Sequence, residues 1–339
     1  MNLIKVAACI ILISVLFSCE NEVEVNAEFE EKTFVLGLID TGSDTQFVKV
    51  TKTFLDNETG AIQLGQDPNN LYYDSIDITL NELNASRNIV QQFKMAKILR
   101  PKESGLFTTE RNEAYYSNAV VKENTTYTLT IDKLNGTAIT IGEAMVSRGI
   151  TLAEPDIRRR GKISLIDPRS KIIIDERFEF LTSENVGEFS ATMVFNYLEI
   201  INVYDTVKSI RIPLTSILNP TLNEVNYPFI FEGQKFFTAL ETNIPISLNP
   251  PKRVVLDVGI DIILEAADAD YTLYRDVNGP IDGLAQTRPD YTNIVNGIGL
   301  FASRNISTVK IGLSGDTKNY IIATYGDRNN LSQYRGFEF

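Results

Sequence analysis

The sequence predicts a mostly β protein in two folded units, an antiparallel sandwich followed by a second β-rich domain with a short helix. Three observations carry that expectation. Short apolar runs alternate with period two, the pattern of a half-buried strand. Turn residues recur between those runs at short intervals. A hydrophobic content of 43% over 339 residues is enough to fill two ordinary cores.

The chain opens Met1-Asn2-Leu3-Ile4-Lys5, and an apolar run over residues 6–17 ends at Ser18-Cys19. A basic start, an apolar stretch of roughly 7–15 residues and a small residue before the cut define a secretory signal. The run is too short to span a bilayer, which takes about 20 apolar residues. The junction Leu16-Phe17-Ser18-Cys19 resembles a lipobox, which implies cleavage before Cys19 and acylation of that cysteine. Residues 1–18 are therefore read as signal peptide and Cys19 as the lipid attachment site. Several acyl chains hold far more firmly than one, since each buried CH₂ contributes about 0.8 kcal/mol. Residues 19–31, with Glu20, Glu22, Glu24, Glu30 and Glu31, read as an acidic tether. They also resemble the surface-export signals of Bacteroidota lipoproteins.

Composition excludes several chemistries. Cys9 leaves with the signal, so Cys19 is then alone, and neither an internal disulfide nor a cysteine zinc site can form. Histidine is absent, which removes Ser-His-Asp and Cys-His catalysis and His-ligated metals. The formal charge is −12, and −13 once Lys5 is cut away. A pI near 4.7 argues against nucleic acid as a partner and suits an extracytoplasmic body. No tryptophan is available for stacking on sugars, although fourteen tyrosines partly substitute. No cofactor is expected.

From residue 33 the pattern is β. Residues 34–39 and 47–51 flank the turn residues 40–44, and strand-like runs follow at 75–83, 89–99, 126–134 and 138–144. Asn135-Gly136 between the last two is a strong hairpin signal. Several short strands at this spacing predict an antiparallel sandwich over residues 32–150. Residues 151–160, with Pro155 and Arg158-Arg159-Arg160, read as a linker. The second unit, 161–339, shows runs at 171–180, 188–201, 209–214, 229–240, 253–266, 299–302, 308–313 and 320–324, with a short helix at 268–276.

Three motifs suggest chemistry. Leu38-Ile39-Asp40-Thr41-Gly42-Ser43 matches the Asp-Thr-Gly-Ser signature of aspartic peptidases, in which two carboxylates share one proton. No second such triplet exists in the chain, so an enzyme would need a dimer to supply the other carboxylate from its own Asp40. The same residues are also ordinary hairpin-turn chemistry. Gly297-x-Gly299-x-x-Ala302 formally fits the dinucleotide fingerprint, but no strand–helix unit surrounds it. Asp257, Asp261, Glu265, Asp268 and Asp270 form an oxygen-rich stretch of the kind calcium uses, without calcium-loop spacing. If residues 253–266 are extended, Asp257, Gly259 and Asp261 share one face, and Val258, Ile260 and Ile262 the other. Two carboxylates for glycoside hydrolysis can be found in any chain with 44 acidic residues, so that signal is empty.

Several stretches together carry a resemblance. They are Phe34-Val35-Leu36-Gly37-Leu38-Ile39-Asp40, Phe47-Val48-Lys49-Val50-Thr51, Tyr127-Thr128-Leu129-Thr130-Ile131, Tyr271-Thr272-Leu273-Tyr274 and Thr292-Asn293-Ile294-Val295-Asn296-Gly297. The chain resembles a family of uncharacterised Bacteroidota envelope lipoproteins. That resemblance implies an immunoglobulin-like N-terminal sandwich, an outer-membrane location and a binding or accessory role beside a TonB-dependent transporter. It implies no catalytic residues. The leading expectation is a lipid-anchored, non-enzymatic envelope protein, and the rival is a dimeric aspartic-type peptidase centred on Asp40.

Overall fold

The computed structural model describes residues 30–55, 59–155, 161–201, 204–218, 220, 226–278, 291–327 and 329–338. The signal segment, Cys19, most of the acidic tether and Arg158-Arg159-Arg160 lie outside the described residues.

The first unit is built from β1 (Thr33–Asp40), β2 (Gln46–Lys52), β3 (Asp77–Leu83), β4 (Ile89–Lys94), β5 (Ala96–Leu99), β6 (Glu113–Ser117), β7 (Thr125–Asp132) and β8 (Thr140–Val146). In space they form two layers, ordered β1-β2-β6-β5 and β8-β7-β3-β4. That is the immunoglobulin-like order, A-B-E-D over G-F-C with an added C′. Strand alternation drives it. β1 buries every second side chain, so Val35 and Ile39 point inward while Phe34 and Leu36 point out. The inward residues of both layers meet in one apolar cluster, Val48 and Val50 against Ile78, Leu80, Leu129 and Ile131. The single run expected over residues 89–99 is two strands. Met95 breaks it, its side chain buried and its N–H bonded to the Ile78 carbonyl, where the chain crosses from one layer to the other.

A tyrosine corner closes this sandwich. Tyr127, at the start of β7 and fully buried, accepts a hydrogen bond from the Lys122 amide at 3.1 Å. The Lys122 ammonium in turn holds both oxygens of buried Glu82, at 2.8 and 2.9 Å. Between β2 and β3 the chain makes an excursion with two helical turns, α1 (Ala61–Leu64) and α2 (Pro68–Leu71).

The second unit begins with β9 (Ile150–Glu154), β10 (Lys162–Ile163), β11 (Glu176–Thr182), β12 (Glu188–Ile201), β13 (Tyr204–Leu218) and β14 (Asn226–Phe231). It continues with α3 (Gly233–Asn243), β15 (Lys252–Ala267), α4 (Ala269–Asn278), β16 (Ile294–Val295), β17 (Gly297–Leu313), α5 (Gly315–Tyr325) and β18 (Phe337–Glu338). Long strands in the order β13-β12-β15-β17 make the main sheet, and β14-β11-β9 a smaller one. Phe178, Phe189, Phe195, Phe236 and Phe237 fill the core between them.

Several expectations change here. Residues 151–154 are not linker: β9 pairs with β11 and anchors the second unit from its first residues. The run expected as a strand over 229–240 is strand only to Phe231. Phe236, Phe237 and Leu240 then lie on one helical face, and α3 buries all three. The run at 320–324 is also helical. Ser314 caps α5 by accepting from the Thr317 amide, and Thr317, Ile321 and Tyr325, four residues apart, face the core. The face assignment along β15 shifts too. Its register with β12 jumps between Tyr197 and Phe195, a bulge that leaves Val258 exposed while Ile260, Ile262 and Leu264 turn inward.

The largest change concerns the boundary between the units. Residues 299–302 and 308–313 belong to one 17-residue strand. Its first half pairs in parallel with β1, and its second half pairs antiparallel with β15. Ile294 and Phe301 are therefore part of the first core, although they arrive from the last quarter of the chain.

Candidate functional site

Asp40 ends β1, opposite Arg304 in the parallel register with β17. One carboxylate oxygen accepts the Gly42 amide at 2.7 Å, an Asx turn. The other is held by Arg304, whose Nε lies 3.1 Å away and whose Nη2 also contacts it. Behind the turn, buried Gln46 donates to the carbonyls of Asp40, Ser43 and Ala119 and accepts from the Asp40 amide. Thr41 accepts from the Ile306 amide at 3.0 Å. The Asp-Thr-Gly-Ser segment is thus a turn stitched to β17. A proton-sharing dyad needs a second carboxylate facing the first. Here the Arg304 guanidinium occupies that place.

The Gly297 and Gly299 pair sits in a strand, not a phosphate loop. Gly299 has φ +112°, and a Cβ there would lie 2.0 Å from the Val35 carbonyl oxygen. The glycine is required by close backbone approach to β1.

The acidic stretch disperses. Asp257 meets the Lys318 ammonium at 2.5 Å, which holds its carboxyl below the usual range. Asp261 accepts from Asn196 at 2.9 Å, and Glu265 from Ser190 at 3.4 Å. Asp268 is buried before α4, where it accepts from the Tyr271 amide at 2.8 Å and from both the amide and hydroxyl of Ser303. Burial pushes its carboxyl up to about 6 against the pull of those donors. Asp270 accepts from the Tyr291 hydroxyl and from Asn293. Among the described residues, no group of three acidic side chains converges as a metal ion would need.

One arrangement has no signal in the sequence motifs. On the outer face of β1 and β2, a groove of about 520 Å³ opens toward the excursion that carries α2 and toward residues 102–107. Its walls are aromatic: Phe34, Phe54, Tyr72 and Phe107, with Phe54 and Phe107 edge to face at 6.2 Å. Lys49, Lys52 and Lys102 stand around it. Lys49 donates to Asn112 at 2.6 Å and lies 5.8 Å from the Tyr72 ring centre. Lys102 donates to the Thr108 carbonyl at 3.0 Å and lies 5.9 Å from the Phe107 ring. Lys52 lies 5.7 Å from the Tyr73 ring. Burial, and the like charge of Lys102, hold the Lys49 ammonium below the usual lysine range. Alternation alone hints at an outward Lys49. The residues that complete the groove, Thr53, Phe54, Leu71, Tyr72, Lys102 and Phe107, lie outside any run with a strand period.

No helix among the described residues is long and apolar enough to cross a membrane. No protein-family model and no curated protein matches the chain. Among solved structures, trypsin-activated alpha-2-macroglobulin from Escherichia coli is similar to it at 8% identity and a TM-score of 0.19, over 71% of this chain and 14% of that one. At that score the likeness carries no argument, and the chain spans only that small part of the larger protein.

Proposed function

We propose that this protein is a non-enzymatic component of the cell envelope, held at the outer membrane through lipid on Cys19, with a binding or accessory role beside a TonB-dependent transporter. The junction Leu16-Phe17-Ser18-Cys19 is the observation that carries this reading, because it places an acylatable cysteine directly after an export signal. The role beside a transporter rests on the resemblance stated above. The Asp40 contacts support the non-enzymatic part of the proposal, since its carboxylate is committed to Arg304 and the Gly42 amide.

The test is metabolic labelling of cells with an alkyne-bearing palmitate. The wild-type chain is expected to take up label and to fractionate with outer membranes. The Cys19→Ala variant is expected to remain unlabelled and to leave the membrane fraction. Equal labelling of both, or none of either, removes the anchor from the proposal. Cross-linking in the same cells is expected to capture a transporter, and a membrane-bound chain that captures none removes the accessory role.

A further inference from the structure

We propose that the groove on the outer face of β1 and β2 is a binding site for a small amphiphilic carboxylate, an anionic head on an apolar acyl or aromatic body. The inference gives a ligand class to the binding role above. Its geometry does not depend on the anchor.

The argument starts from charge. The protein carries a formal −12, yet three lysines converge on one groove. Among the described residues, the partners of these ammonium groups are an amide oxygen, backbone carbonyls and ring faces; no carboxylate pairs with them. Burial first, and then the like charge of Lys102, make the Lys49 ammonium less favourable than usual. An anion placed among them converts that repulsion into charge-assisted hydrogen bonds.

The apolar half comes from strand alternation. Phe34 and Thr51 are cross-strand partners on the outer face, so the floor is set by the register of β1 with β2. Phe54, Leu71, Tyr72 and Phe107 raise walls over that floor. Phe107 remains 44% exposed while its ring packs edge to face against Phe54. Small-molecule sites combine this kind of largely apolar lining with a few convergent polar groups. A neutral apolar ligand leaves the lysines uncompensated, and a bare inorganic anion leaves the aromatic walls uncovered. An amphiphilic carboxylate satisfies both halves.

The experiment is titration calorimetry on the full chain, purified without detergent as the Cys19→Ser form, with decanoate and decanol as probes. Decanoate is expected to bind, and decanol, equal in length but neutral, to bind about tenfold more weakly or worse. Lys52→Gln alone, and Lys49→Gln with Lys52→Gln, are expected to lower decanoate affinity, the double variant by about tenfold, with decanol unchanged. Phe107→Ala is expected to weaken both probes. Unchanged circular dichroism and melting temperature show that each variant folds, and Lys52→Gln alone still tests the site if the double variant does not. Equal affinity for the two probes, no decanoate binding, or lysine variants without effect overturns the proposal. Attachment only to vesicles of phosphatidylglycerol, with no binding of free decanoate, also overturns it in favour of a membrane surface. Failed palmitate labelling leaves this site untouched, and failed decanoate binding leaves the anchor untouched, so the two proposals fall separately.

Discussion

Around the first core, short strands from two layers bring together small and medium side chains such as Val35, Val48, Leu80 and Leu129, and its large rings are Tyr115, Tyr127 and Phe301. Around the second, the 14-residue β12, the shorter β11 and β14 and the helix α3 together carry a chain of phenyl rings. Phe178 lies against Phe180 and Phe231, Phe180 against Phe189, and Phe195 against Phe236, which meets Phe237. The second core draws its members from residues 150–337, whereas the first takes Phe301 and Ile294 from far along the chain. An immunoglobulin-like sandwich of this kind is thus complete only when β17 lies beside β1. Its stability is tied to a pairing nearly the whole chain apart, and such contacts carry a high loop-closure cost.

The sharpest way to break the comparison is at that seam. Gly299→Val places a branched side chain against the Val35 carbonyl at a backbone angle that favours glycine. The expected loss is about 3 kcal/mol or more. Hydrogen exchange is expected to show β1 and β2 amides losing protection while those of β12 keep theirs. Equal loss in both places means that the two cores unfold as one.

A middle-sized effect comes from Asp268, which joins α4 to β17 beside the same seam. Its carboxyl sits at about 6 in the fold against 3.8 when unperturbed, so the folded state holds the proton more tightly. The stabilisation from that protonation is fully present below 3.8 and is lost as pH rises through about 6. A shift of this size is worth on the order of 3 kcal/mol. Urea denaturation across that pH window is expected to show a fall in stability that Asp268→Asn flattens. Identical slopes for both chains remove Asp268 as the source.

The smallest effect sharpens the first unit alone. Tyr127→Phe leaves the Lys122 amide and buried Glu82 each short of a partner, at an expected cost of about 1–2 kcal/mol. The Tyr127 hydroxyl itself is pushed up to about 12 by burial, so it stays neutral through the physiological range. Thermal unfolding of the variant, followed by exchange at β7 and β12, checks whether the loss stays within the sandwich. A variant as stable as wild type means that the corner is ornamental.

Alternation made β1, β2, β7 and β12 legible, because a strand that buries one face must repeat its apolar residues with period two. Asn135-Gly136 was legible for the same local reason, and Gly136 does take a left-handed φ of +77° between β7 and β8. The helices α3 and α5 were misread because their aromatic and β-branched residues suit strands. The signals that mark them are the spacing of Phe236 and Leu240 and the cap at Ser314. At Asp40 the turn chemistry was readable, but its partner was not.

What the sequence by itself determined is the β class, most of the apolar strand faces and the hairpin turns. Only the tertiary structure decided that Ser303-Arg304-Asn305, a polar interruption on paper, continues β17 through the middle of the molecule. Ser303 and Asn305 are buried there because Asp268, Ser147 and Glu123 satisfy them, and Arg304 is drawn to Asp40. The lysine groove has the same origin, since Phe34, Lys49, Tyr72 and Lys102 meet only once the excursions fold back over the sheet. Period and propensity act between neighbours in sequence, whereas a buried polar group is stabilised by whichever distant partner the fold delivers to it.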